Sequence, residues 1–196
     1  MKSFLTIEVI FFLIMLFFAS CNPKQQQTAV AGNEIDTLVF IQKGDSIAAL
    51  MQEVLLQNVM QATKVGGPAF AVAFCNERAM PLTDSLSERY NCRIQRISAK
   101  YRNQANKPTE NDEAVLLQLN TSNATKPILK SENGERIYYK PIKIAMPACL
   151  NCHGNEGKEI ALQTMEAIRK KYPDDLATGY KEGDFRGMWK ITFPEK

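Results

Sequence analysis

From Asp45 to Lys64 the apolar residues Ile47, Leu50, Met51, Val54, Leu55, Val59 and Met60 return every three or four positions, which predicts a helix with one apolar face. Gly66-Gly67-Pro68 marks its end. The next run, AFAVAFC (69–75), is wholly apolar, and periodicity does not choose between a buried strand and a helical turn. NERAMPLTDSLSERY holds helix formers around Pro81, which fits an early helix position with the helix running towards Tyr90. NCRIQRIS (91–98) sets Cys92 and Ile94 against Arg93 and Gln95, the alternation of a strand with one apolar face.

After the turn-like YRNQANKP (101–108), Thr109 with Asp112 three residues later reads as a capping box opening the helix ENDEAVLLQLN. KPILK and ERIYYKPIKIAM predict two strands joined at Asn133-Gly134, a strong hairpin signal. KEIALQTMEAIRKKY predicts a helix ending before Pro173, and DFRGMWKITF closes the chain as a strand. There is no internal repeat. A long N-terminal helix followed by antiparallel strands with helices between them gives an α+β fold, one domain over about 34–196.

The N-terminus falls outside that pattern. Val9 to Phe18 is an uninterrupted apolar run behind Lys2, the length of a signal-peptide core and about half of what a membrane span needs. It ends in FFASC, so small residues precede Cys21 in a pattern resembling a bacterial lipobox, although Phe18 is unusual there. The expectation is a lipoprotein-type signal peptide at 1–20 and lipidation of Cys21. A polar, flexible tether is expected at 21–33. The mature domain would sit on the periplasmic side of a bacterial membrane, held by lipid.

Charge adds little. The 196 residues carry 24 basic and 21 acidic side chains, interspersed, for a net +3, and no basic stripe points to nucleic acid.

The chemistry lies in ACLNCHG (148–154). Cys149, Cys152 and His153 form C-x-x-C-H, in which two thiols add to the vinyl groups of one haem and the histidine becomes an axial ligand. An export signal fits this, because such attachment occurs outside the cytoplasm. A thioredoxin-type pair would need a βαβ context, and zinc would need about four ligands. His153 is the only histidine, so the opposite face of the iron needs another donor. Candidates are Met51, Met60, Met80, Met146, Met165 and Met188, or the two remaining cysteines, Cys75 and Cys92. Those two also have a disulfide open to them in an exported chain. Chemistry alone favours Cys75 only narrowly, since it ends an apolar run beside the polar NERA.

Taken together, AVAFCNERA, RISAKYRNQANKP with the downstream Glu113, ACLNCHG and YPDDLATGYKEGDFRG resemble a family of exported single-haem c-type proteins with a PAS-like (Per-Arnt-Sim-like) domain and His/Cys axial ligation. The resemblance runs from about Leu50 to the C-terminus. The family usually has proline where this chain has Gln104. The resemblance implies one covalent haem c held against a PAS-like antiparallel sheet, with His153 proximal and Cys75 distal. Arg96 and Arg102 are candidates to pair with haem propionates, since a planar guanidinium suits carboxylates.

A thiolate ligand favours ferric iron and so implies a low potential. The expected function is a redox or gas sensory module signalling to a separate, unidentified partner protein, with a periplasmic electron-transfer cytochrome as the alternative. Without a second histidine as distal acid–base, no enzyme is expected.

Overall fold

The computed structural model describes residues 23–122 and 126–194. The expected signal peptide and the lipidation site Cys21 lie outside them. The expected tether at 21–33 overlaps the first turns of α1, which begins at Pro23.

Helix α1 runs from Pro23 to Arg89 and leaves helical geometry only at Gly66 and Gly67. Gly67 takes φ 77°, ψ −179°, a backbone state that a side chain would strain. The Gly-Gly-Pro punctuation therefore ends the first helical arm where the sequence predicts, and a second arm follows across the kink. The ambiguous run 69–75 is helical, and Pro81 lies inside the second arm, well past the first turn where it was expected. An interior proline deletes one helical hydrogen bond, a cost that packing of the flanking Leu82 and Leu86 offsets.

Four strands form one antiparallel sheet in the order β1-β4-β3-β2: β1 (Arg93–Ile97), β2 (Ile128–Glu132), β3 (Glu135–Lys143) and β4 (Phe185–Phe193). Asn133 and Gly134, both at positive φ, close the β2–β3 hairpin as the sequence predicts. Between β1 and β2 lies α2 (Glu110–Thr121), whose Thr109–Asp112 capping box forms as expected. A 3₁₀ turn (Pro147–Cys149), the single-turn helix α3 (Leu150–His153) and α4 (Leu162–Lys171) follow β3. Helix α4 starts four residues later than the sequence predicts, because residues 156–160 first make a small bridge between Glu156 and Ile160.

The two sheet faces bury different layers. On one, Ile47, Ala48 and Met51 of α1 pack against Ile94, Tyr138, Trp189, Ile191 and Phe193. On the other, Val115, Leu116 and Leu119 of α2 meet Ile97, Ile137, Tyr139 and Met188. The odd–even alternation along β3 and β4 decides which residue goes where. At about 1.5–3 kcal/mol per fully buried large apolar side chain, these two layers supply most of the favourable burial. The fold is α+β, as the hydrophobic pattern predicts, with α1 covering the sheet face on which the site is built.

Candidate functional site

A cavity of about 470 Å³ opens between α1, the β1–β4 half of the sheet and the segment 146–153. Cys75, Arg96, Arg102, Cys149, Cys152 and His153, all singled out in the sequence, line it together. Cys75 arrives from the second arm of α1, and Arg96 from the β1 face that α1 covers. The C-x-x-C-H residues come from the 3₁₀ turn and α3, whose four residues place His153 one turn beyond Cys149.

The remaining cysteine is elsewhere. Cys92 packs against the α1–sheet core with Lys43 nearby, and Cys75, Cys92, Cys149 and Cys152 are all free thiols. The Cys75–Cys92 disulfide left open by the sequence is therefore not formed. The methionines also separate. Met60, Met80 and Met146 line the cavity, whereas Met51, Met165 and Met188 are buried in core clusters.

Three distant sequence segments knit around the histidine. The loop 98–107 and the loop 174–180 are joined by Leu176 N donating to Tyr101 O at 3.1 Å. Gln104 donates to Asp174 at 3.1 Å, and Lys100 Nζ donates to Thr178 O. Gln104, the departure from the usual proline, thus makes a contact of its own. The second loop then grips α3, with Gly179 N bonded to Gly154 O at 2.7 Å and Tyr180 N to His153 O at 2.9 Å.

Within this frame His153 Nδ1 lies 2.7 Å from Ala177 O. A carbonyl only accepts, so Nδ1 carries the proton and Nε2 keeps its lone pair. Burial, together with the Arg186 and Arg102 guanidiniums, holds the His153 pKa well below its ordinary value, with the Ala177 bond acting in the opposite sense. The ring is neutral, the form in which imidazole acts as a ligand. Burial pushes the Cys75 thiol up, opposed by Arg96 and Arg102. Burial likewise raises Cys152.

The arginines divide by partner. Arg102 is committed to protein: Nε and Nη2 meet the two Asp175 carboxylate oxygens at 2.9 and 3.2 Å, and Nη2 also donates to Cys152 O at 2.6 Å. Among the described residues no hydrogen bond or ion pair holds the Arg96 guanidinium, which lies half-buried at the cavity near Cys75 and Tyr172.

A third arginine, Arg186, was not singled out by sequence reasoning although it falls inside YKEGDFRG. Ile142 pairs with Gly187 but Lys143 pairs with Phe185, so Arg186 is the extra residue of a β-bulge. Strict alternation would send it to the α2 side with Met188. The bulge re-aims it to the cavity, where Nη1 bonds Ser98 Oγ at 2.7 Å and Lys100 O at 3.0 Å. Burial lowers its pKa to about 10, countered by Tyr180, so it stays charged near neutrality. Trp189, the one tryptophan, completes the wall and donates to Gln52 at 3.3 Å.

The model of the family described as Tll0287-like matches residues 26–194. Among solved structures, the chain is similar to the crystal structure of the cyanobacterial heme-protein Tll0287, with a TM-score of 0.60 and 22% identity. That match covers 79% of this chain and 96% of the other, and at this identity it speaks to the fold. No curated protein matches the chain.

Proposed function

The chain belongs to the Tll0287-like family, and on that premise we propose that it carries one covalently attached haem c with His153 and Cys75 as axial ligands. It would serve as an exported, low-potential redox or gas sensory module. The observation that carries this reading is the gathering of both motif thiols, the only histidine and Cys75 in one cavity. Family membership supports haem as the ligand, since the similar solved protein, Tll0287, is a cyanobacterial heme-protein.

The residues suit the group. Cys149 and Cys152 are free thiols at the cavity wall and would form the two thioethers. Among the described residues no cluster of three histidine, cysteine, aspartate or glutamate side chains is placed to hold a metal ion. A pair of donors, one imidazole and one thiol, fits a metal that brings its remaining ligands in a macrocycle. When bound, haem supplies one-electron chemistry at an iron whose potential follows its axial donors.

The chain's own residues do the rest. Ala177 fixes the tautomer of His153, leaving the Nε2 lone pair free for a metal. The Cys75 thiol, whose pKa burial raises in the free chain, would ionise on binding the metal, and its negative charge would favour the oxidised form. Arg96, without a protein partner, would pair with a propionate. Leu55, Val59 and Val72 of α1, together with Trp189, give the cavity an apolar wall suited to a macrocycle's face. We read the antiparallel sheet as PAS-like, a scaffold for passing a change at the site to a separate partner protein. Lipidation of Cys21 would hold the domain on the periplasmic side of a bacterial membrane. Catalysis is not part of this reading.

The test is attachment. Expressed in cells with haem-attachment machinery, the chain should carry one haem that survives acid–acetone extraction, and Cys149→Ala with Cys152→Ala should abolish this. A chain that leaves such cells without covalent haem overturns the proposal.

A further inference from the structure

Arg102 was expected to face a propionate, yet its side chain is taken up by a different task. Asp175 grips it with both carboxylate oxygens, at 2.9 Å to Nε and 3.2 Å to Nη2. The same carboxylate accepts from Ala177 N at 3.0 Å. Arg102 Nη2 then reaches two carbonyls: Cys152 O at 2.6 Å and Ala177 O at 3.3 Å. Ala177 O is also the acceptor for His153 Nδ1 at 2.7 Å. Asp175 and Arg102 are almost fully enclosed, at 4% and 11% side-chain exposure, so water does not replace these bonds readily.

From this geometry we propose that Arg102, held by Asp175, is a positioning residue that fixes the His153 ring through the Ala177 carbonyl and limits how strongly that carbonyl accepts from Nδ1. The arrangement constrains Ala177 from both ends of its peptide: Asp175 takes its N–H, and Arg102 shares its C=O. A carbonyl already polarised by a guanidinium has less to give the imidazole N–H. The ring therefore stays nearer neutral imidazole than imidazolate and is the weaker electron donor through Nε2. The bond to Cys152 O ties the backbone of the attachment motif to the same clamp. Only a planar fork with several donors in fixed directions makes all these contacts together; a lysine has a single ammonium.

The inference rests on haem binding for one of its two readouts and is independent of it for the other. Because His153 is the only histidine, its Nδ1 proton is a unique NMR signal in the reduced, diamagnetic low-spin protein. In the full haem-bearing chain that proton should exchange slowly with water. Arg102→Lys keeps the charge and breaks the fork, and should speed exchange about tenfold or more, as losing a hydrogen bond to a charged group implies. Asp175→Asn should do the same. Arg102→Gln should in addition move the midpoint potential to more negative values, by releasing the Ala177 carbonyl and removing a nearby positive charge. Variants that lose melting temperature while the proton and the potential stay as in the parent would make Arg102 merely structural and overturn the proposal. Free exchange of the Nδ1 proton in the unaltered chain would overturn it with no variant needed. If the purified chain carries no covalent haem, the proposed function falls. The clamp is still judged then by the same proton, which must report the Nδ1–H tautomer in the parent chain and lose it in Arg102→Lys.

Discussion

Asp112 joins α2 to the sheet, and its removal gives a stability prediction worked from the structure. Its Oδ1 lies 2.8 Å from Lys190 Nζ on β4, and its Oδ2 accepts from Thr109 N at 3.1 Å and Thr109 Oγ at 2.8 Å. The two charged side chains are 2% and 12% exposed. Asp112→Asn keeps the shape but leaves an uncompensated buried ammonium and turns an NH₂ group towards a donor. Breaking a buried pair in this way costs about 3–5 kcal/mol. At about 2–4 °C per kcal/mol for a chain of this size, the melting temperature should fall by about 6–20 °C. Lys190→Met should cost less, about 2 kcal/mol, because Asp112 keeps its Thr109 donors. The double variant should be less damaged than the sum of the two, by about 0.5–3 kcal/mol. Urea unfolding followed by circular dichroism measures all three. The pH dependence has a definite sign. Burial pulls the Asp112 pKa up, but the Lys190 and Thr109 bonds outweigh it and set the pKa below 3.8. The unfolded chain therefore binds the proton first as pH drops, so this stabilisation is complete above the ordinary carboxylate value and is lost as pH falls through the depressed one. An Asp112→Asn cost under about 0.5 kcal/mol, the level of a surface change, would refute the reasoning.

Other predictions follow from single contacts. Gly44→Ala would set a methyl group into the Tyr138 ring, which packs flat on α1, and should destabilise by about 1–3 kcal/mol despite alanine's better helix propensity; a higher melting temperature would contradict that packing. Glu156→Gln removes only an exposed pair with Arg169, so its effect on urea midpoint should correspond to about 0.5 kcal/mol or less. Since the one tryptophan lies on the cavity wall, Trp189 fluorescence should be strongly quenched in haem-bearing protein relative to haem-free chain; equal emission from both would place the haem elsewhere.

Local patterns made the scaffold readable in advance. The three-and-four spacing at 47–60, the Thr109–Asp112 box and Asn133-Gly134 each encode short-range physics, and each stands where the sequence puts it. The second arm of α1 was ambiguous for the opposite reason. AFAVAFC has no polar position to set a period, and only Ala71 and Val72 of it are buried while Phe70 is exposed, so its helical state is visible in the structure and not in the pattern. The candidate site was legible where residue type alone limits the chemistry: one histidine, and thiols at C-x-x-C spacing. What the sequence could not reveal depends on three-dimensional register. Arg186 reaches the cavity only because a bulge breaks the alternation of β4, and Arg102 and Arg96 look alike in sequence. Asp175, seventy-three residues from Arg102 along the chain, separates them.

The central claim is that the thiol of Cys75 and the ring of His153 hold one haem between them. Optical and electron paramagnetic resonance spectra of purified Cys75→Ser and Cys92→Ser proteins test it directly. The account predicts a thiolate-type low-spin ferric signal in the parent chain that survives in Cys92→Ser and disappears in Cys75→Ser, with haem still attached through Cys149 and Cys152. The same low-spin signal in both variants would contradict it and return the search to Met60, Met80 and Met146 on the cavity wall.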